Sequence, residues 1–388
     1  MKKIFDSNNA RLHGLDHLRA IAIIIVMIFH YYPAPEWLEP IKNIGWSGVD
    51  LFFVLSGFLI GSQLLKEYKK NNDISFRNFY IKRFFRIIPA YLAVLLLYYL
   101  LPDMREGSGM APLWKYLTFT QNIGLEVENS SSFSHAWSLC IEEQFYLLLP
   151  IVILSLFAMR LQARAGYLII GLVFLGLLLR VYNWNEYVQP LIDINKGREM
   201  ARSFFEKIYY PSYSRMDGLL VGISIAAIFT FKPKTKQFLR NKGNYFLVLG
   251  IILFLLSFQI NENLISFNNA VYGFPLISIA YGFIVIAALS PACILYKIKS
   301  KITFLIATLS YSIYLTHKLI FHIIRNVIIN RELDLNPNLT FGICIVAAII
   351  VGLFLHITIE RSSLKLRERI LEGNRKRNKK LSYNTTYE

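Results

Sequence analysis

One apolar segment near the start of the chain, DHLRAIAIIIVMIFHYY from Asp16 to Tyr32, carries two residues that membrane helices rarely contain. Arg19 lies near its beginning, and His30 follows eleven residues later. At about 100° per residue the two side chains share one helix face, and they are separated by about 16 Å along the axis. Ionisable residues within a membrane face a partner or a polar cavity. The pair therefore predicts a polar lining along one side of this helix.

Further residues of this kind interrupt later apolar segments: Asp50, His135, Trp137, Glu142, Glu143, Asp217 and His317. One level in the outer half of the membrane is predicted to hold His30, Asp50, Glu142, Glu143, Asp217 and His317, and His135 and Trp137 are predicted at the outer mouth. A lone histidine there is more often a packing residue than a functional one. The adjacent carboxylates Glu142 and Glu143 are harder to explain in this way, because they point about 100° apart and at least one must find a cavity or a cation.

A second cluster is cationic and opens the third apolar segment, RNFYIKRFFRIIPAYL, with Arg77, Lys82, Arg83 and Arg86. Arg19 is predicted at the same depth, and Pro89 marks a point where a helix bends or restarts. Such a run is ordinarily only the positive charge of a cytoplasmic loop, and a single arginine is ordinarily an anchor. Taken together, the cations suit a phosphate-bearing donor at the inner end. The imidazole and carboxylates suit a general base at the outer end.

The elements that must position these residues are membrane helices. Of the 388 residues, 55% are hydrophobic, which is typical of an all-α polytopic membrane protein rather than a soluble one. About ten transmembrane helices are predicted, near residues 17–32, 45–65, 84–102, 138–158, 166–183, 214–231, 244–260, 270–290, 302–329 and 339–359.

Charge predicts the orientation. Basic loops such as KPKTKQFLRNK and KIKSK alternate with loops poor in Lys and Arg such as NENLISFNN, so we expect an even number of spans with both termini cytoplasmic. We also expect a membrane domain over residues 1–361 and a basic cytoplasmic tail over 362–388. The start, MKKIFDSNNARLHG, is too polar for a cleaved signal peptide, so the first helix is expected to remain.

Composition also weighs against other classes of protein. The net charge of +17 is attributed to cytoplasmic anchors rather than to nucleic-acid binding. The three cysteines, Cys140, Cys293 and Cys344, lie far apart in apolar segments. They indicate neither a disulfide framework nor a metal site, and no other metal motif is present.

Seven segments, in order, resemble the acyltransferase 3 family of integral membrane acyltransferases: GLDHLRAIAIIIVMIFH, GVDLFFVLSGFLI, YIKRFFRIIPAYL, HAWSLCIEEQFYLLLP, SRMDGLLVG, LSYSIYLTHKLI and IERSSLKL. The resemblance covers nearly the whole chain. It departs at Ser362 and Ser363, where the family often has a proline. It implies transfer of an acyl group, most often acetyl, from acyl-CoA to a hydroxyl of a cell-envelope carbohydrate, by a multi-pass protein of the cytoplasmic (inner) membrane.

The resemblance also implies roles for the residues singled out above. Lys82, Arg83 and Arg86 would hold the CoA phosphates at the inner face, and Arg19 would line the path outward. His30 would deprotonate the acceptor hydroxyl or briefly accept the acyl group. Glu142 or Glu143 would orient or charge-balance the imidazole. The residues expected on the acceptor side are Asp50, His135, Trp137, Asp217 and His317.

The expected partners are membrane lipid, acyl-CoA and a carbohydrate acceptor, with proteins of envelope-glycan assembly as further candidates. Some family members append an extracellular esterase-like domain, and here acceptor handling is expected in the membrane domain, its outer loops or a partner protein. Two other classes stay open: a proton-coupled transporter using the His and Glu residues, and a non-catalytic scaffold. The acceptor, the acyl length and the oligomeric state also stay open.

Overall fold

The computed structural model describes residues 12–260, 263–333 and 335–384. All regular elements among these residues are helical, which confirms the predicted all-α class. The chain start up to residue 11 and the last four residues of the expected basic tail, 385–388, lie outside the described residues. The chain forms two compact units: unit 1 comprises residues 1–70 and 107–308, and unit 2 comprises residues 71–106 and 309–388.

In chain order, the helices are α1 (His13–His30), α2 (Glu39–Gly45), α3 (Gly48–Asn71), α4 (Phe76–Leu100), α5 (Leu113–Leu117), α6 (Trp137–Ala158), α7 (Ala165–Asn183), α8 (Gln189–Asp193), α9 (Gly197–Phe204), α10 (Asp217–Phe231), α11 (Pro233–Asn241), α12 (Gly243–Ile260), α13 (Phe274–Ala288), α14 (Ile294–Lys297), α15 (Lys301–Asn330), α16 (Pro337–Leu355) and α17 (Arg361–Asn384). Four π-helical turns extend them: Trp184–Val188, Phe205–Tyr209, Asn269–Gly273 and His356–Glu360. Unit 2 contains α4, most of α15, and α16 and α17.

Nine helical segments of the described chain are long and apolar enough to cross a bilayer: His13–His30, Glu36–Asn71, Phe76–Leu100, Ser134–Ala158, Gln162–Asp193, Gly243–Ile260, Asn269–Ala288, Lys301–Asn330 and Pro337–Gly373. Each corresponds to one of the ten predicted spans. The membrane-protein class is therefore supported, with nine spans that stand alone.

The predicted span near 214–231 differs from the others. α10 has only 15 residues, about 22 Å of helix against a hydrocarbon core of about 30 Å. It has the length and apolar character of a span only together with α11, from which it is bent by 111°. The bend follows from Pro233, the first residue of α11, because proline lacks an N–H and disfavours the helical conformation at the residue before it. That residue, Lys232, has φ −117° and ψ 77°.

The third predicted span begins earlier than expected, at Phe76 instead of near residue 84. Ser75 supplies the reason, since its side chain accepts a hydrogen bond from the Asn78 amide at 3.4 Å and so caps the first turn. The cationic run predicted to lead into this span is therefore itself helical, and Lys82, Arg83 and Arg86 project from α4.

Two glycines let α3 and α10 approach closely within unit 1. A Cβ on Gly222 would lie 2.6 Å from the Phe58 amide nitrogen, and one on Gly57 would lie 3.0 Å from the Leu219 carbonyl carbon. Both distances are too short for a side chain, so the contact requires residues without one. Small residues serve the same purpose in other membrane helix pairs. This contact brings Asp50 on α3 beside the segment that opens α10.

Candidate functional site

α1 carries both Arg19 and His30 without a break, and His30 is its last residue. The common face and the separation of about 16 Å predicted from the spacing therefore hold. Both side chains are half-buried, whereas Ile23 and Val26 between them are fully buried. The polar pair thus flanks a buried apolar stretch of the same helix face.

His135 lies next to His30, with 6.2 Å between the ring centroids and an edge-on angle of 62°. It belongs to the short 3-10 turn Ser134–Ala136 that precedes α6. Phe133 reverses the chain just before that turn in the left-handed conformation, at φ 55°, and its ring lies 5.1 Å from the imidazole of His135. His135 is 2% exposed. Unit 1 therefore brings together two histidines that are far apart in sequence.

Glu142 and Glu143 lie on α6, about two turns beyond His135, and both are half-buried. The hydroxyl of Tyr146, one turn further on, donates to Glu142 at 2.8 Å. Gln144, which follows Glu143 in the chain, donates to the Phe119 carbonyl at 2.7 Å. The two glutamates have different surroundings, and the choice between them as the partner of an imidazole remains a prediction.

Asp50 pairs with Arg215 in a buried ion pair. One terminal nitrogen of the guanidinium donates to both carboxylate oxygens at 3.0 Å, and the side chains are 3% and 0% exposed. The Arg215 guanidinium also stacks over the ring of Phe274, 3.7 Å from its centroid. Buried charges require such partners, so the carboxylate of Asp50 is committed to a contact inside unit 1.

Asp217 is similarly committed, to Arg180 on α7. The closest contact between them is 2.7 Å, and the side chains of Arg180 and Asp217 are 1% and 6% exposed. Arg180 also donates to the Ser214 carbonyl at 2.7 Å. The two pairs cross-link α3, α7 and the start of α10. The prediction that Asp50 and Asp217 contact an acceptor is untested, and their ion pairs favour a positioning role.

Trp137, the first residue of α6, packs beside the Asp50–Arg215 ion pair and lies two residues after His135 in the chain. Its ring lies 4.9 Å from that of Tyr209 and 6.0 Å from that of Phe53, and the Arg215 guanidinium lies 5.6 Å from it. Tyr210 packs on the same ring at 5.6 Å. Burial raises the pKa of the Tyr210 phenol to about 12, against a smaller opposing effect of its hydrogen bond with Ser134.

In unit 2, Lys82, Arg83 and Arg86 are half-buried on α4. Arg86 forms an ion pair with Glu360 at 2.7 Å, in which the arginine is 35% exposed and the glutamate 0%. The guanidinium is thus held at one end while part of it remains accessible. Half-buried cations on one helix suit the binding of phosphate groups.

Glu360 is the centre of a buried polar network in unit 2. Ser312 on α15 donates to its second carboxylate oxygen at 2.9 Å, and the same oxygen lies 2.8 Å from Nδ1 of His356. His356 and Glu360 begin and end a single π-helical turn between α16 and α17. The network fixes the carboxylate, and the carboxylate in turn orients Arg86.

A second contact in unit 2 compensates for the proline in α4. Pro89 cannot donate to the Phe85 carbonyl as another residue would. The hydroxyl of Ser363 donates to that carbonyl instead, at 2.8 Å. The phenol of Tyr311 donates to the Ile87 carbonyl at 2.7 Å. Ser363 stands where the sequence departs from the family pattern, and here it satisfies the carbonyl that Pro89 leaves open.

His317 lies on α15 and is fully buried. Its Nδ1 is 2.8 Å from the Tyr314 carbonyl in the preceding turn, which assigns the ring proton to that nitrogen. The ring packs against Phe321 at 5.9 Å. These contacts resemble those of a packing histidine, and its predicted place on the acceptor side remains a prediction.

The sequence patterns did not single out several residues that the structure brings into these networks: Arg180, Glu360, His356 and Ser312. Arg180 and Glu360 had a usable signal, because each is an ionisable residue within or at the end of an apolar segment. Ser312 and His356 had none beyond residue type. In the part of the chain that the structure describes, no group of three or more His, Cys, Asp or Glu residues could hold a metal ion.

Comparisons with known proteins agree with the resemblance seen in the sequence. The family model described as an acyltransferase domain matches residues 12–357. The chain is similar to proteins named O-acetyltransferase OatA from Staphylococcus aureus strains NCTC 8325 / PS 47 and COL, each 32% identical over 327 residues. The matches cover 79% of this chain and 50% of each relative, so the chain spans about half the length of these relatives.

No solved structure matches this chain, so the assignment rests on sequence. The family match includes His30, Glu142, Glu143 and the cations of α4. It also includes the membrane-crossing segments from α1 to α16. A match of this extent is decisive, and the chain belongs to the acyltransferase 3 family.

Proposed function

We propose that the protein is a membrane O-acetyltransferase that moves an acetyl group from cytoplasmic acetyl-CoA to a hydroxyl of a cell-envelope carbohydrate at the outer face of the cytoplasmic membrane. The observation that carries the proposal is the contact between His30 and His135, 6.2 Å apart by ring centroids, in a chain of this family. Transfer to a hydroxyl needs a general base, and imidazole is the side chain most often used for that purpose.

His30 is the proposed base because it ends α1 and remains half-buried, while His135 is almost completely enclosed. His30 takes the proton of the acceptor hydroxyl as the oxygen bonds to the acyl carbon; the carbon–sulfur bond breaks, and the proton ends on the sulfur. In the other route His30 first accepts the acetyl group and then passes it to the hydroxyl. His135 is proposed to orient the hydroxyl or the His30 ring in either route.

The donor supplies an activated thioester and phosphate groups. Arg83 and Arg86, with Lys82, are the proposed phosphate ligands, since all three are half-buried cations of α4. Arg86 is held by Glu360 yet 35% exposed, so part of its guanidinium can meet a phosphate in a preset orientation. Arg19 is proposed to line the donor path, and Glu142 or Glu143 to charge-balance the imidazole.

The acetyl group is favoured over other acyl groups because relatives of this chain are named O-acetyltransferases. The carbohydrate acceptor and the outward direction of transfer rest on the family resemblance and on the alternation of loop charge. Both termini are accordingly proposed to lie in the cytoplasm. Proteins of envelope-glycan assembly are proposed partners because the family resemblance implies an envelope carbohydrate as acceptor.

The test uses the full chain in lipid vesicles with radiolabelled acetyl-CoA and a crude envelope glycan fraction from the source cell. Arg86→Ala is compared with Arg77→Ala, because Arg77 lies on the same helix but is exposed. We expect the label to enter the glycan as a base-labile ester, with the apparent KM for acetyl-CoA raised by Arg86→Ala and unchanged by Arg77→Ala.

Failure to transfer label would contradict the proposal when the protein is shown to be folded. Absence of acetyl-CoA binding as well would first direct the search to another acyl donor. If no acyl donor is consumed, proton-coupled transport by the buried histidines and glutamates becomes the better account.

A further inference from the structure

A cavity of about 450 Å³ lies between α11 and the turn that follows α13 in unit 1. Four polar side chains of α11 line it, together with the first residue of that helix and two residues of the turn: Lys236, Gln237, Arg240, Asn241, Pro233, Pro291 and Ala292. Two cations and two amides on one side of a cavity form a set of hydrogen-bond donors suited to an anion.

The cavity is held in place by the packing of α11. The helix turns away from α10 by 111°, and Leu239 anchors it with 9% exposure. The hydroxyl of Ser290 donates to the Arg240 carbonyl, which ties the end of the helix to the opposite turn. Lys236 and Arg240 are one helical turn apart and therefore share a face. Both are half-buried, unlike the exposed Lys234 on the same helix and the exposed Lys232 just before it.

The charge of this region has one sign. The sequence contains no Asp or Glu from residue 218 to 260 or from 289 to 300, whereas Lys and Arg recur in the first segment and Lys recurs in the second. Among the described residues, no carboxylate forms an ion pair with Lys236 or Arg240. The positive potential of the cavity is therefore not neutralised by this part of the protein.

The surface next to the cavity is apolar and exposed. α12 starts two residues after α11 ends, and its exposed side chains include Tyr245, Val248, Ile252 and Leu255. Phe238, on α11 itself, is 58% exposed. In a membrane-crossing helix such side chains face acyl chains. An anion that carries hydrocarbon chains fits this combination better than a water-soluble one.

We propose that the cavity binds the phosphate headgroup of an anionic phospholipid whose acyl chains lie along α12. Lys236 and Arg240 contact the phosphate, and Gln237 and Asn241 bind the polar substituent of the headgroup. α11 then lies at the membrane interface, where an amphipathic basic helix is stable. This site shares no residue with the contact between His30 and His135 or with the cations of α4, and it does not depend on the proposed acetyl transfer.

The test measures lipid retention by the full chain, purified in detergent and supplied with phosphatidylglycerol or phosphatidylcholine, by native mass spectrometry. The variant Lys236→Ala/Arg240→Ala is compared with Lys232→Ala/Lys234→Ala, which removes the same charge from exposed positions at the start of α11. Measurements are repeated in 1 M salt, where the Debye length is about 3 Å and unspecific attraction is screened. Thermal unfolding checks that both variants are folded.

We expect the wild-type chain to retain phosphatidylglycerol in preference to phosphatidylcholine. Loss of both cavity cations should weaken retention roughly 30-fold, and the exposed pair should change it less than about threefold in high salt. Equal losses in the two variants would overturn the proposal in favour of general surface charge. Displacement of the lipid by inorganic phosphate or by CoA at equal concentration would also overturn it and identify a site for a soluble phosphate.

Discussion

Ser363 is expected to stabilise α4 through the carbonyl that Pro89 leaves open. In an uninterrupted helix the amide of residue 89 would donate to the Phe85 carbonyl, but proline has no N–H. The hydroxyl of Ser363 takes that place at 2.8 Å, and the residue is 9% exposed. Ser363→Ala removes the donor and leaves a carbonyl that water reaches poorly.

The structure sets the size of the effect. Leaving a buried polar group without its partner costs about 1–3 kcal/mol. Pro89→Ala returns an N–H to the helix, which can donate to Phe85. In the Pro89→Ala background, Ser363→Ala should therefore cost less than about 0.5 kcal/mol. The two changes should be coupled by about 1–2 kcal/mol.

The assay is denaturant unfolding of the purified chain in detergent, followed by tryptophan fluorescence, for the wild type, both single variants and the double variant. Ser362→Ala is the matched control, because Ser362 is the neighbouring serine and is exposed. The reasoning is refuted if Ser363→Ala costs the same in both backgrounds, or no more than Ser362→Ala does.

Three further outcomes are expected. Glu360→Gln keeps the size of the side chain but removes the charge that holds Arg86. The KM for acetyl-CoA should therefore rise roughly threefold to tenfold with little change in kcat. A fall in kcat alone would contradict the positioning role of Glu360. Asp50→Asn and Arg215→Met should each lower the free energy of unfolding by about 3–5 kcal/mol, because each leaves a buried charge unpaired; the double variant should lose less than the sum, and strict additivity in unfolding experiments would count against the pair. The pKa of Tyr210 is about 12 in the folded chain against an ordinary 10, so the unfolded chain loses this proton first, and the contribution of Tyr210 to stability is complete below about pH 10 and is lost as the pH rises towards 12. The stability of Tyr210→Phe, measured by thermal unfolding, should therefore fall less steeply over this pH range than that of the wild type. Equal slopes for the two proteins would show that Tyr210 does not titrate as described.

Much of the helical framework is readable from sequence, because apolar length and loop charge are local properties. The spans near residues 17–32 and 244–260 fall on α1 and α12 within a few residues. α4 begins earlier than predicted because its first turns are cationic, and a hydropathy criterion leaves cationic residues out of a span. The Ser75 cap nevertheless starts the helix before them. α10 was too short to span alone because Pro233 ends it.

The contacts between distant residues were not readable, since they depend on how helices pack. Asp50 and Asp217 stand out in the sequence as ionisable residues in apolar segments, but nothing local indicates that their partners are Arg215 and Arg180. The spacing that linked Arg19 to His30 was a property of one helix, whereas the approach of His135 to His30 joins two. The role of Ser363 was not predictable for the same reason. Its hydroxyl donates to the carbonyl that Pro89 leaves open, and only the packing of α17 against α4 brings the two together.

The central claim concerns the imidazole of His30, and the most direct measurement is the rate of acetyl transfer at saturating acetyl-CoA and acceptor. His30→Ala is compared with His13→Ala, which changes the same residue type at the other end of α1. General-base catalysis contributes about 10²- to 10⁴-fold, so kcat should fall by that factor in His30→Ala, with acetyl-CoA binding and thermal stability retained, and should be unchanged in His13→Ala. Full activity of folded His30→Ala would contradict the account.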